Sequence, residues 1–352
     1  MRTYGHIELK NGAWMITHAE PHVCIRLKAV FPKIPKTGTP PFHFDDTMEN
    51  ATELFWFMDR YPMEISIQDS GHLERRKRSH IDMVNSMERI LLPDYRPKPA
   101  YLKDGHKGRI YQMQGKDLFL RQKRLLIGDD MGLGKTMIAI LCALEEEVRP
   151  VMVVCQTHLP RQWKEQIEKF TDLKVHLIRG NKPYSLDNHE ADIYITTYSR
   201  LSGWVDLFQT KMFKTVVFDE CQELRVFGSN KYMAASILSQ NAENCMGLSG
   251  TPIYNYGNEI WNVMNVIKEN ALGSEQDFCR EWCDKYGKTV KDPKALGTYL
   301  REMFIMLRRT RNDVGKELPP VNKIVHTVEY DEKAAHSTHE IARQLAMKVL
   351  HG

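Results

Sequence analysis

The stretch that most constrains this chain is Leu125-Leu126-Ile127-Gly128-Asp129-Asp130-Met131-Gly132-Leu133-Gly134-Lys135-Thr136. A short apolar run, two acids and a glycine-rich turn precede a helical pattern that begins at Met137. The order strand, tight loop, helix is the setting a phosphate-binding loop requires. Glycines let backbone N–H groups turn inward as an anion nest, and the helix N-terminus adds its positive end. Lys135 is placed to reach the β- and γ-phosphates of a nucleotide, and the Thr136 hydroxyl to ligate Mg²⁺. The general pattern has glycine where this chain has Asp129, so a plain Gly-rich turn before a helix is the alternative.

From about residue 100 the pattern alternates. Strands are expected at 124–127, 151–155, 174–178, 192–196, 214–218 and 244–248. Helices are expected at 111–121, 135–148, 160–170, 229–239 and 256–268. Such alternation specifies an α/β fold, a largely parallel sheet covered by helices on both faces. The run Thr215-Val216-Val217-Phe218-Asp219-Glu220 ends an apolar strand in two acids, which at the carboxyl end of a parallel strand face the phosphate loop. Asp219 suits Mg²⁺, and Glu220 suits the activation of an attacking water. A solvated turn is the bland reading of two such acids. Met246-Gly247-Leu248-Ser249-Gly250-Thr251-Pro252 is a third strand running into small and hydroxyl residues, which can sense the γ-phosphate side.

The first hundred residues read as a separate small α+β module. Asn11-Gly12 between alternating runs marks a hairpin. Val23, Ile25 and Leu27 suggest a third strand, and 64–67 a fourth. Helices are expected at 47–61, with Met48, Ala51, Phe55 and Met58 on one stripe, and at 72–91. The second carries Arg75-Arg76-Lys77-Arg78, which is either a solvated face or a DNA-backbone contact. Pro93, Pro97 and Pro99 mark the boundary.

With 352 residues and 42% hydrophobic content, the chain can build more than one core. No segment has the length of a membrane span. Seven cysteines without a framework point to a reduced, intracellular protein. Cys279 and Cys283 lack a second ligand pair, so a structural role is expected rather than zinc. The net charge of +4 permits a nucleic-acid partner without demanding one.

The three segments, in this order and spacing, resemble the helicase superfamily two motors, and among them the Swi/Snf-type DNA translocases. Asp129 is ordinary in that family, and Asp130 stands where the family has Glu. Leu248 to Asn255 resembles the family's third motif. Ile110-Tyr111-Gln112 resembles the motif whose glutamine reads adenine, which implies that role for Gln112. The segments around Arg308-Arg309 and Glu317-Leu318-Pro319-Pro320 resemble the end of the first motor lobe.

The resemblance implies a RecA-like P-loop lobe using ATP and Mg²⁺. Met131, Gly132, Leu133, Gly134, Lys135 and Thr136 would hold the nucleotide. Lys135, Asp219 and Glu220 would be catalytic, with Thr136 and Asp219 on the metal. Gln222, Ser249, Gly250 and Thr251 would couple the site to DNA. Thr157 and Thr197 would be weak backbone contacts, while Trp163 and Tyr198 are read as packing. The family usually has Asp-Glu-Ala-His where this chain has Asp219-Glu220-Cys221-Gln222.

The expected organisation is an accessory module at 1–98, the ATP-binding lobe at 99–330, and at 331–352 the start of a helical connection to a second lobe. That second lobe is not in this sequence, so weak hydrolysis by the isolated chain is expected. Duplex or forked DNA is the expected partner. A strand-separating RNA or single-stranded DNA helicase and an ATP-gated nucleic-acid-binding switch are the alternatives.

Overall fold

The computed structural model describes residues 2–31, 34–35, 37–186, 189–251, 256–284 and 289–315. The N-terminal module is a three-stranded antiparallel sheet, β1 (Gly5–Lys10), β2 (Ala13–Ala19) and β3 (Phe42–Asp45), in that order. Asn11 and Gly12 turn β1 into β2 with φ of 52° and 75°, as the Asn-Gly signal requires. Trp14, Ile16, Phe42 and Phe44 point into one core while their neighbours face out. Helices α1 (Pro21–Val30), α2 (Met48–Arg60) and α3 (Ile67–Leu91) complete the module.

Residues 23–27 belong to helix α1 and not to a strand. Pro21 sits in the first turn, and Val23 and Leu27 are buried while Ile25 is 67% exposed. Burial therefore recurs at a four-residue spacing, the helical one. Residues 64–67 give only a single bridge, Glu64 to His6, because Ser66 caps α3 at the Asp69 N–H, 3.0 Å away. That cap starts α3 earlier than its apolar pattern does. The buried stripe of α2 is Ala51, Leu54 and Phe57, leaving Phe55 and Met58 half-buried at its edge. Leu73 of α3 packs in the module, whereas Met87 and Ile90 pack in the core of the large lobe.

The lobe is a seven-stranded parallel sheet in the order β10-β4-β9-β8-β5-β7-β6. Its strands are β4 (Arg124–Ile127), β5 (Val151–Cys155), β6 (Val175–Leu177), β7 (Ile193–Thr197), β8 (Thr215–Asp219), β9 (Asn244–Leu248) and β10 (Met306–Leu307). Every residue of β5, β7, β8 and β9 is buried, the mark of strands covered on both faces. Helices α4 (Ile110–Gln122), α5 (Lys135–Ala143), α6 (Pro160–Phe170), α8 (Asn230–Gln240) and α9 (Glu259–Ile267) supply the cover, with the short α7 (Val205–Phe208).

Helix α5 stops at Ala143, and a separate 3₁₀ turn at Glu146–Val148 follows. The elements without a sequence signal include β3, the 3₁₀ turns Lys103–Gly105, Tyr198–Trp204 and Cys221–Leu224, α7, α10 (Glu275–Trp282), α11 (Pro293–Glu302) and β10. The expected helix after residue 331 lies outside the described residues, as does the Glu317–Pro320 segment. Among the described residues, no helix is long and apolar enough to cross a membrane. All seven cysteines are free, and among the described residues no group of metal-binding side chains is present.

Candidate nucleotide site

The sheet order brings the carboxyl ends of β4, β9, β8 and β5 side by side, where ligands of open parallel sheets bind. The loop after β4 turns at Gly132 and Gly134, with φ of 83° and 76°. Both lie in the left-handed region that glycine enters without strain. Gly134 is also the N-cap of α5, so the loop amides and the helix end face one cleft.

The Lys135 ammonium donates to the carbonyl oxygens of Asp129 at 2.8 Å and Asp130 at 3.5 Å. These are exchangeable contacts for a group whose charge suits a phosphate. Met131, Gly132, Gly134, Lys135, Thr136, Asp219 and Glu220 line one cleft of about 330 Å³, with Leu159, Gln162, Trp163 and Gln166 on its far wall. Leu133 is buried and anchors the loop. Its carbonyl accepts from the Tyr111 hydroxyl at 2.8 Å and the Gln112 amide at 3.2 Å. The Gln112 side-chain Oε1 accepts from the Arg109 N–H at 3.0 Å. A Cβ on Gly134 would stand 2.5 Å from the Gln112 side-chain nitrogen and displace it from Leu133, and the φ of 76° at Gly134 itself favours glycine.

Asp219 ends β8 nearly buried. Burial pushes its carboxyl pKa up, and a 2.8 Å hydrogen bond from the Trp163 indole N–H to Oδ2 opposes that shift. The Tyr198 hydroxyl donates to the Asp219 carbonyl oxygen at 2.8 Å. Trp163 and Tyr198 are thus packed, as expected, and they also fix the acid at both its side chain and its backbone. Glu220 follows at φ 50° and ψ 54°, a left-handed conformation that costs a non-glycine residue on the order of 1 kcal/mol or more. The kink directs the chain from the strand into the 3₁₀ turn Cys221–Leu224.

From Glu220 a continuous hydrogen-bond chain runs across the sheet end. The Gln222 amide nitrogen donates to Glu220 Oε2 at 2.6 Å. The Ser249 hydroxyl donates to Gln222 Oε1 at 2.7 Å and accepts from the Thr251 N–H at 3.1 Å. A carboxylate can only accept, so the Gln222 nitrogen must face Glu220 and its oxygen must face Ser249. Gly250 closes the loop onto the site: its added Cβ would lie 3.1 Å from Met131 Cγ and 3.6 Å from Lys135 Nζ. Residues 252–255 of this motif lie outside the described residues.

Arg309 was not singled out as a site residue, yet it holds the phosphate loop. Asp129 is fully buried, and both its oxygens accept from the Arg309 guanidinium. The Arg309 backbone N–H adds a bond of 2.9 Å to Asp129 Oδ1, and the guanidinium also donates to the Tyr111 carbonyl oxygen. The available signal was Asp129 itself, since a carboxylate at the end of an apolar strand needs a cation when buried. The two threonines behave differently. Thr157 is exposed after β5, whereas Thr197 is fully buried with its hydroxyl 3.0 Å from that of Ser199. The Thr197 side chain therefore does not reach a surface where a phosphate could meet it.

A family model described as the SNF2-related domain matches residues 14–351. The chain belongs to that family. Relatives include an uncharacterised ATP-dependent helicase of Mycoplasma pneumoniae, 30% identical over 56% of this chain and 19% of its own length. The putative ATP-dependent helicase/translocase YwqA of Bacillus subtilis is 27% identical over 68% of this chain and 27% of its own.

Among solved structures, the Sulfolobus solfataricus SWI2/SNF2 ATPase core in complex with dsDNA superposes with a TM-score of 0.54. It is 26% identical and covers 63% of this chain and 48% of that one. The chain thus spans about half of the solved SNF2 core and between 8% and 32% of the length of curated relatives. SNF2 domains are ATP-dependent helicase-like motor domains, and their parallel sheet flanked by helices is the one described above.

Proposed function

We propose that this SNF2 domain is the ATP-binding lobe of a motor that couples ATP hydrolysis to movement on double-stranded or forked DNA. The observation that carries the reading is the unbroken chain Glu220–Gln222–Ser249–Thr251, which ties the water-activating position to a neighbouring loop beside Lys135. Lys135 and the amides of Gly132, Leu133 and Gly134 hold the phosphates. Gln112, joined to the loop through Leu133, would read the adenine, the role its resemblance to the family motif implies. Thr136 and Asp219 would hold Mg²⁺, which when bound supplies positive charge against the phosphates. Trp163 occupies Asp219 Oδ2 and thereby sets the orientation in which the other oxygen is presented.

Glu220 orients and polarises the attacking water. Gln222 cannot take a proton at ordinary pH, so it transmits a change at Glu220 by hydrogen-bond geometry and not by charge. A second lobe in a longer parent protein would complete the cleft, and the isolated chain is then expected to bind ATP and turn it over slowly. The Sulfolobus core, whose structure holds dsDNA, supports duplex DNA as the track.

The test is ATP hydrolysis by the parent protein with duplex, forked and single-stranded DNA and with none. Stimulation by duplex or fork exceeding that by single strands is the expected result. Stronger stimulation by single strands would replace this reading with strand separation.

A further inference from the structure

The N-terminal module carries a pocket that the ATP site does not use. Arg26 and Val30 lie one turn apart on α1, and Trp56 and Arg60 one turn apart on α2. With Phe57 and Tyr61 they line a recess of about 240 Å³, and no acidic side chain is among the lining residues. Trp56 is 60% exposed, so its indole contributes little to the module's core. Single exposed aromatics are ordinary. This one is distinguished by the two cations beside it.

Three other arginines of the module are held by acids, Arg2 by Glu20, Arg76 by Asp46 and Arg78 by Glu74. Among the described residues, Arg26 and Arg60 have no such acid. An exposed indole and two guanidiniums without acid partners, lining one recess, match a planar ring joined to phosphates. The recess is smaller than the roughly 300–1,000 Å³ of drug-sized sites and suits a single ring system.

We propose that this pocket holds one unpaired nucleotide of a DNA strand, its base against Trp56 and its flanking phosphates against Arg26 and Arg60. The proposal rests on the motor reading only for the choice of DNA as the polymer. Bases inside a duplex are stacked on one another and offer no free face to an indole, so the pocket selects an unpaired strand. Stacking on an aromatic face is sequence-tolerant, and so is phosphate pairing, so no base preference is built in.

The test compares binding of a short fluorescein-labelled oligo-dT strand and a blunt duplex of equal length by anisotropy. The proteins are the wild-type chain, Trp56→Ala, Trp56→Phe and Arg26→Ala/Arg60→Ala. Trp56→Ala is expected to weaken oligo-dT binding about tenfold, with Trp56→Phe close to wild type. The double arginine variant is expected to weaken it as well and to lower the salt slope by about 1.4. Duplex affinity is expected to change less than about twofold in all of them. Oligo-dT affinity unchanged in Trp56→Ala, or an equal loss on duplex, would overturn the pocket. Lys135-dependent binding of Mg–ATP on the same samples tests the motor reading separately, and the oligo-dT comparison decides the pocket whichever way that comes out.

Discussion

Replacing Arg309 with alanine is expected to destabilise the protein by about 3–5 kcal/mol, read as a lower midpoint in urea unfolding. Asp129 has no exposed surface, and every hydrogen bond found on its carboxylate comes from Arg309. Without the guanidinium a buried charge is left with only one backbone N–H. The loss is local in origin and wide in effect. Arg309 follows β10 at the sheet edge and also holds the Tyr111 carbonyl, while Tyr111 holds the phosphate loop at Leu133.

Asp129→Asn combined with Arg309→Met is expected to recover at least half of the stability, because removing both charges removes the desolvation problem along with the attraction. A single Arg309→Ala variant within about 1 kcal/mol of wild type would mean that Asp129 finds water or another donor.

The second large effect is on rate. Glu220→Gln is expected to lower ATP turnover by about 10²- to 10⁴-fold while leaving nucleotide affinity within a few-fold. The side chain keeps its size, and an amide oxygen can still accept from Gln222, so the hydrogen-bond chain to Ser249 remains possible. What would be lost is the carboxylate proposed to polarise the attacking water. Steady-state hydrolysis beside equilibrium binding of a fluorescent ATP separates the two. Turnover within about threefold of wild type would move the water-activating role elsewhere in the cleft.

The sheet and its phosphate loop were legible because their signals are local. Runs such as Val151–Cys155 and Thr215–Asp219 are continuous apolar segments of strand length, and Gly132 and Gly134 declare their own backbone geometry. The residues expected to couple the site were named through resemblance, and the structure hydrogen-bonds Gln222 to both Glu220 and Ser249.

What escaped depends on partners far away in sequence. Nothing near Trp163 says that its N–H meets Asp219, and nothing near Arg309 says that it meets Asp129. Strand β10 is two residues long and exists only through its pairing with β4. The stretch 23–27 failed for the opposite reason. Its alternation was a coincidence of five residues, and Pro21 at the start of α1, together with burial of Val23 and Leu27, decided for a helix.

The central claim is that the loop around Lys135 is a working nucleotide site. Calorimetric titration of Mg–ATP into this chain, with Lys135→Ala alongside, tests it most directly. The account predicts measurable binding by the wild type and a loss of roughly 10- to 100-fold in the variant, the worth of a charged hydrogen-bond donor to phosphate. Equal affinity in the two proteins would contradict it.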